Sequence, residues 1–241
     1  ASRKAQGALP VIACVLMGIV TLWGFCPECK ADVTAFSGMY ASSATIAAIK
    51  NILNVGALIV LIQSVKWANS EFVAVRRGEF YELILLTLLG MYFMISSRHF
   101  LMFIIGLETA SLPLCALVAF DKNRYESHEA AIKYVLTAVF SSAILLMGLS
   151  FVYGLTGTLY YDMMALTMRS NLGVMLVVGL AFVMAGFGFK LSLVPFHLWT
   201  ADVYQGAPTS VTSYLSVISK GSAAFAFLVV LTQVFGTVYS Q

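Results

Sequence analysis

Three charged side chains stand inside long apolar runs of this chain: Glu108, Lys190 and Lys220. A charge at the centre of a bilayer helix costs about 2.5–3.5 kcal/mol on insertion scales, so each must face a protein interior or a watery cavity. An acid with two lysines is the composition of a proton or cation path, and the chemistry to expect is ion translocation. Glu108 and Lys220 each fall ~14–16 Å from a membrane surface, too deep for their side chains to reach water easily. Glu108 is the one deep acid; Glu28, Asp32, Glu71, Glu79, Glu82, Asp121, Glu126, Glu129, Asp162 and Asp202 fall in loops or at run ends. A deep carboxyl facing deep lysines invites pairing. The alternative is a neutral carboxyl that joins two helices.

Lys133 and Lys50 lie about one turn inside their runs, where snorkelling to the interface explains them as well as a place at the ends of a path. His197, beside Pro195 and Trp199, is placed either to relay protons near neutral pH or to serve in a capping or an interfacial role. His99 and His128 read as loop residues. Cys26 and Cys29 form a C-x-x-C pair, incidental or a local disulfide, with no second such pair to complete a four-cysteine metal site. Cys14 and Cys115 read as small apolar packing residues. There is no phosphate-binding G-x-x-x-x-G-K-[ST] loop, no G-x-G-x-x-G after a strand and no pair of deep histidines to clamp a haem. Neither ATP hydrolysis nor electron transfer is expected in this chain, which should bind no cofactor and no metal.

The elements that must position these groups are membrane helices. With 60% hydrophobic residues and 10% charged, against about 25% charged in soluble domains, the chain reads as an all-α polytopic membrane protein in contact with lipid throughout. The net charge of +3 is too small and dispersed for nucleic acid. Spans are expected at about 8–25, 44–64, 80–97, 99–120, 129–154, 171–203 and 209–236, seven crossings of one bundle domain over 1–241. No small-residue cleavage site follows the first run, which reads as a retained helix. One side of the membrane then holds Arg3, Lys4, Lys66, Arg76, Arg77, Lys122 and Arg124, the other Lys30, Arg98 and Arg169; the first is the cytoplasmic side or its equivalent.

The run at 171–203 is too long for an ordinary span: Leu172 to Val203 would extend ~48 Å as a straight helix against a ~30 Å core. Gly186, Gly188 and Pro195 weaken it around Lys190. A helix broken near 190–195 is expected, as transporters use beside an ion site. The alternative is a helix ending near Leu193 with Lys190 snorkelling to the interface. The chain starts at Ala1 and stops soon after its last run, and is expected to be part of a larger protein.

The run Gly188-Phe-Lys-Leu-Ser-Leu-Val-Pro-Phe-His-Leu-Trp-Thr-Ala-Asp-Val-Tyr-Gln-Gly-Ala-Pro-Thr209, followed by Leu215-Ser-Val-Ile-Ser-Lys220, resembles the signature region of the subunit N family of NADH-quinone oxidoreductase, the antiporter-like membrane subunits of respiratory complex I. Gly106-Leu-Glu-Thr-Ala-Ser-Leu112, Ala131-Ile-Lys-Tyr134 and Tyr153-Gly-Leu-Thr-Gly-Thr158 extend the resemblance over nearly all of the chain. Ala201 departs from the proline that the family commonly carries after Trp-Thr. The family fold has two inverted repeats and about twice this length, so the resemblance implies that the first helix and most of the second repeat, with its own lysine, lie outside this chain. It implies that Glu108 pairs with Lys190, that Lys190 switches, that Lys220 relays and that Lys133 joins the network. It also implies quinone, FMN and iron–sulfur clusters in partner subunits, other complex I membrane subunits as neighbours, and a bacterial inner membrane. A cation/proton antiporter subunit, a membrane-bound hydrogenase-type subunit and a scaffold whose buried charges fix helix register are the alternatives.

Overall fold

The computed structural model describes residues 3–25, 32–69, 74–170 and 173–236. Cys26 and Cys29 lie outside them, and with them the expected C-x-x-C pairing. The chain is nearly all helical: α1 Arg3–Trp23, α2 Ala44–Ala68, α3 Arg77–Ile95, α4 Phe100–Val118, α5 Tyr125–Thr156, α6 Tyr161–Ser170, α7 Val174–Leu191, α8 Leu198–Gly206 and α9 Thr209–Phe235. Six of these, α2, α3, α4, α5, α7 and α9, are long and apolar enough to cross a membrane, and the apolar part of α1, Pro10–Trp23, is shorter. Large apolar residues on the outer faces, Ile52, Ile59 and Ile62 of α2 or Leu136, Val139 and Phe140 of α5, are exposed as lipid-facing residues must be. The protein is a polytopic membrane bundle.

α3 and α4 form an antiparallel pair whose spacing is set by glycine. A Cβ on Gly106 would lie 2.8 Å from the Gly90 carbonyl oxygen and 3.0 Å from the Met94 Cα, so the two backbones touch where neither residue carries a side chain. Two apolar clusters fill the bundle. One gathers α1, α2, α3 and the first-side ends of α4 and α5 around Leu61, Phe80, Leu114 and Tyr214. The other joins the opposite end of α4 to α5, α6, α7 and the end of α9 around Phe103, Leu149, Val183 and Phe235. α4, α5 and α9 pass through both, and the deep charges lie on or beside these shared helices.

The second-side connections depart from a purely helical expectation. Residues 33–42 form a hairpin, β1 Val33–Ala35 and β2 Tyr40–Ser42, paired Val33↔Ser42 to Ala35↔Tyr40. Its turn places Phe36, Ser37 and Gly38 at positive φ. The Arg98 amide donates to the Met39 carbonyl at 2.8 Å and the Ala41 amide to the Ser96 carbonyl at 2.9 Å. The Phe100 amide donates to the Leu159 carbonyl at 3.0 Å, and the Tyr161 amide to the Arg98 carbonyl at 3.1 Å. Backbone hydrogen bonds thus sew the hairpin, the α3–α4 turn and the α5–α6 turn together. Strands of three residues are too short for a period of two to register in sequence. α6 fills a stretch expected to be loop, burying Tyr161, Met164 and Met168 on one face.

Candidate functional site

The run at 171–203 is broken as its length requires. α7 ends at Leu191, with Ser192 left-handed at φ 59°. The Leu193 amide donates to the Gly188 carbonyl at 2.8 Å and the Ser192 amide to the Phe189 carbonyl at 3.2 Å, the hydrogen bonds of a Schellman end with serine where glycine is usual. Pro195 follows, and α8 restarts at Leu198. The break is tied from the far side too. Trp199 Nε1 donates to the Phe189 carbonyl at 3.1 Å, and Thr200 Oγ1 donates to Ser192 Oγ at 2.7 Å. The two amides and the indole together satisfy the Gly188 and Phe189 carbonyls at the end of α7, and the Thr200 hydroxyl ties Ser192 to α8.

α5 is the spine along which both halves lie. Ser141 Oγ donates to the Gly186 carbonyl at 2.9 Å, and the Phe140 and Phe189 rings meet edge to face at 5.6 Å. Nearer the first side, Tyr134 packs on Trp199 at 5.3 Å, and Lys133 Nζ reaches Asp202 at 2.6 Å and Glu129 at 2.8 Å. At 32 residues, α5 is ~48 Å long, enough to carry α7 and α8 end to end and to extend its first turns into the headgroup region.

Lys190 is half-buried in the last turn of α7, where the helix dipole favours a cation. Its ammonium donates to Ser111 Oγ of α4, and that hydroxyl donates in turn to the Leu107 carbonyl. Glu108 lies one turn from Ser111 on the same face of α4, within electrostatic range of Lys190. Among the described residues the two form no ion pair, and the Lys190 ammonium donates to the Ser111 hydroxyl instead of the carboxylate. Glu108 lines an open apolar groove of ≈ 460 Å³ with Leu86, Ile104, Ile105 and Leu112.

Lys220 approaches from α9. Its Nζ sits 5.0 Å from the Tyr204 ring centroid and 5.8 Å from that of Trp199, a cation against two aromatic faces of α8. The Tyr204 hydroxyl is buried without a partner among the described residues. Just before Lys220 the backbone widens into a π turn, Tyr214–Ser219, and a second occupies Leu231–Phe235. Lys190 and Lys220 line one cavity of ≈ 20 Å³ with Tyr134, Thr137, Ser141, Trp199 and Ser219. About 10–15 Å³ by this measure holds a water molecule. The two lysines therefore face one water-sized space.

Of the other candidates, Lys133 is half-exposed in its bridges to Glu129 and Asp202 and does not line this cavity. His197 is exposed at the N-terminal edge of α8 and makes no side-chain cap, which removes the capping role. Lys50 donates to the Tyr40 hydroxyl at 2.8 Å in a separate cavity. His99, read as a loop residue, is a buried cap whose Nδ1 accepts from the Leu101 amide at 3.1 Å, and His128 lies in the first turn of α5. Cys14 and Cys115 are half-buried free thiols.

Residues 97–241 match the family described as NADH:quinone oxidoreductase/Mrp antiporter, TM. The chain belongs to this family. Among curated members, the NADH-quinone oxidoreductase subunit N of Azobacteroides pseudotrichonymphae genomovar. CFP2 is 54% identical over 227 residues, covering 94% of this chain and 47% of that protein. The chain thus spans about half the length of the curated relatives it matches. A structure of respiratory complex I from Thermus thermophilus with bound aureothin superposes at TM-score 0.70 with 32% identity, over 94% of this chain and 47% of that one. The Mrp complex of Dietzia sp. DQ12-45-1b shares the fold at TM-score 0.77 with 19% identity, over 97% and 44%.

Against this family background, Ser111, Ser219, Trp199 and Tyr204 are residues that a search for charges in the sequence passes over. Ser111 had a signal: three residues after Glu108 on a helix, it must share the carboxylate's face. Ser219 had a weaker one in the serine series Ser213, Ser216, Ser219 and Ser222, whose hydroxyls compete for backbone carbonyls. Ser216 Oγ donates to the Ser213 carbonyl at 3.2 Å and Ser222 Oγ to the Ser219 carbonyl at 2.8 Å. Trp199 and Tyr204 carried none beyond ordinary aromatic packing.

Proposed function

We propose that the chain moves protons as a subunit-N-type membrane component of a redox-driven NADH:quinone oxidoreductase, seated in a bacterial cell membrane beside other complex I membrane subunits. Those neighbours hold the quinone, FMN and iron–sulfur chemistry; this chain contributes the charge path. One observation carries the reading: Lys190, on the broken helix, and Lys220, on α9, open onto the same water-sized cavity. A proton on Lys190 leaves through a water bounded by the Ser219 and Thr137 hydroxyls and is taken up by Lys220. Glu108 sets when this happens. With its charge present near Lys190 the ammonium is stabilised; with that charge withdrawn, the proton is released. Ser111 holds the ammonium between these two conditions. At the first side, Lys133, Glu129 and Asp202 border a polar cavity of ≈ 170 Å³ that opens toward water, a mouth for protons entering along α5.

Replacement of Lys220 in the assembled complex tests the relay. Lys220→Met keeps the length and loses the charge; Lys220→Arg keeps the charge but is effectively never deprotonated. Both variants should pump fewer protons per NADH oxidised, although Met also lowers the insertion cost. Recovery by Arg alone would show that Lys220 acts as a fixed charge, and the relay would have to be abandoned.

A further inference from the structure

Midway along α3 a pair of hydroxyls joins that helix to α9. Thr87 Oγ1 lies 2.7 Å from the Ile84 carbonyl oxygen and 2.8 Å from the Tyr214 hydroxyl, which is itself 3.4 Å from the same carbonyl. Each hydroxyl has one proton to give, so either can serve the carbonyl while the other donates to its neighbour. Both side chains are fully buried, and Tyr214 belongs to the apolar cluster around Leu61, Phe80 and Leu114. A phenyl ring in its place would bury the same apolar surface with no hydroxyl to satisfy. The hydroxyl therefore does something that packing alone does not ask for.

Tyr214 is the first residue of the π turn that ends at Ser219, immediately before Lys220. Such turns are rare interruptions of α-helices, found mostly at functional sites, and this one is held at both ends. At its start Tyr214 is fastened to α3 by the hydroxyl pair. Near its end Ile218, 1% exposed, lies beside a notch on α2, where a Cβ on Gly56 would stand 3.3 Å from Ile218 Cγ1. Ile218 is held by shape alone, whereas Tyr214 is held by a directed bond. Past the turn, Lys220 meets the Tyr204 and Trp199 rings. α3 is in turn pressed on α4 at Gly90 and Gly106, and α4 carries Ser111, the partner of Lys190. We propose that Thr87 and Tyr214 are positioning residues of the proton relay: their hydrogen bond fixes the start of the π turn and, through it, the seat of Lys220 against Trp199 and Tyr204. The inference rests on Lys220 being the relay, but the placement of Lys220 is measured independently of pumping.

The chain has three tryptophans, so incorporated fluorotryptophan gives a simple fluorine NMR spectrum of the full chain in detergent. The resonance displaced by Lys220→Met is that of Trp199, whose ring senses the ammonium. Tyr214→Phe keeps the ring and leaves Thr87 bonded to the Ile84 carbonyl, so no buried group loses its last partner. Loss of a buried neutral hydrogen bond should weaken the fixed arrangement about fivefold and displace the Trp199 resonance in the direction seen with Lys220→Met. Thr87→Val should act likewise, and Thr87→Ser, which keeps the hydroxyl, should return the resonance to its original place. In the assembled complex Tyr214→Phe and Thr87→Val should pump fewer protons per NADH oxidised, and Thr87→Ser should not. A Trp199 resonance unmoved by Tyr214→Phe and Thr87→Val, or moved as far by Thr87→Ser as by Thr87→Val, would overturn the proposal. Unchanged pumping in Tyr214→Phe where Lys220→Met pumps less would overturn it too. Full pumping in Lys220→Met would remove the relay instead, and the resonance would still decide whether Thr87 and Tyr214 place Lys220.

Discussion

The arrangement around Lys190 gives Ser111 a part that the charges alone do not. Its hydroxyl accepts from the ammonium and donates to the Leu107 carbonyl, so both its hydrogen-bonding roles are filled and its rotamer is fixed. Ser111→Ala removes a neutral partner of a cation in a shielded site, worth about 1.5–3 kcal/mol. The balance between proton-holding and proton-releasing states should shift about tenfold or more, and pumping per NADH oxidised should fall, with recovery in Ser111→Thr. Unchanged pumping in the alanine variant would mean that Lys190 needs Glu108 alone. At this scale, Glu108, Lys190 and Lys220 were legible in the sequence because a charge in an apolar run is costly and therefore conspicuous. Ser111 and Ser219 were not, because a hydroxyl in a membrane helix is cheap and common: it can bond back to its own helix, as Ser64 and Thr87 do here.

At the scale of elements, the broken helix depends on length and on Pro195, and both are legible in the order of residues alone. What that order does not supply is how the break is held. The Trp199 donor and the Thr200 contact to the left-handed Ser192 bring together residues eight to ten positions apart, a matter of tertiary placement rather than local propensity. The α3–α4 pair carries a separate prediction. Gly106→Ala puts a methyl against the Gly90 carbonyl and the Met94 backbone, which cannot give way as a side chain can, so the helices must separate. A cost of about 1–3 kcal/mol is expected, visible as a lower Tm in detergent. Gly18→Ala on α1, where a Cβ meets nothing within 4 Å, is the matched control and should be neutral. Equal Tm values for the two variants would show that α3 and α4 are free to slide.

For the whole molecule, the bundle was legible from hydropathy and the second-side seam was not, because it consists of backbone hydrogen bonds between segments that are distant in sequence and short in themselves. His99 sits in that seam, packed edge to face on Tyr160 at 4.5 Å, with its Nδ1 accepting from the Leu101 amide. Burial holds its imidazole below the ordinary histidine value. The unfolded chain therefore binds the proton more readily, so stability is full above pH ~6.5 and is lost as pH falls below that toward the folded value. Amide exchange at 96–100 and 159–161 should quicken between pH 7.5 and 5.5. His99→Asn, which keeps a capping acceptor without a titrating ring, should show the same exchange at both once intrinsic rates are corrected. A pH effect that persists in that variant would place the titrating group elsewhere.

The π turn at Tyr214–Ser219 gives α9 a property of counting. A π turn closes its hydrogen bonds one residue later than an α turn, so it acts as a single inserted residue immediately ahead of Lys220. Each residue rotates a helix by about 100°. Without that extra residue Lys220 would point to another azimuth, away from Tyr204 and Trp199, while the helix kept its length, its apolar character and its place in the bundle. The phase of α9, and not only the kind of side chain it carries, is what aims Lys220. A π turn that migrated past residue 220 would swing the ammonium through the same angle, breaking few hydrogen bonds and leaving both ends of the helix where they are.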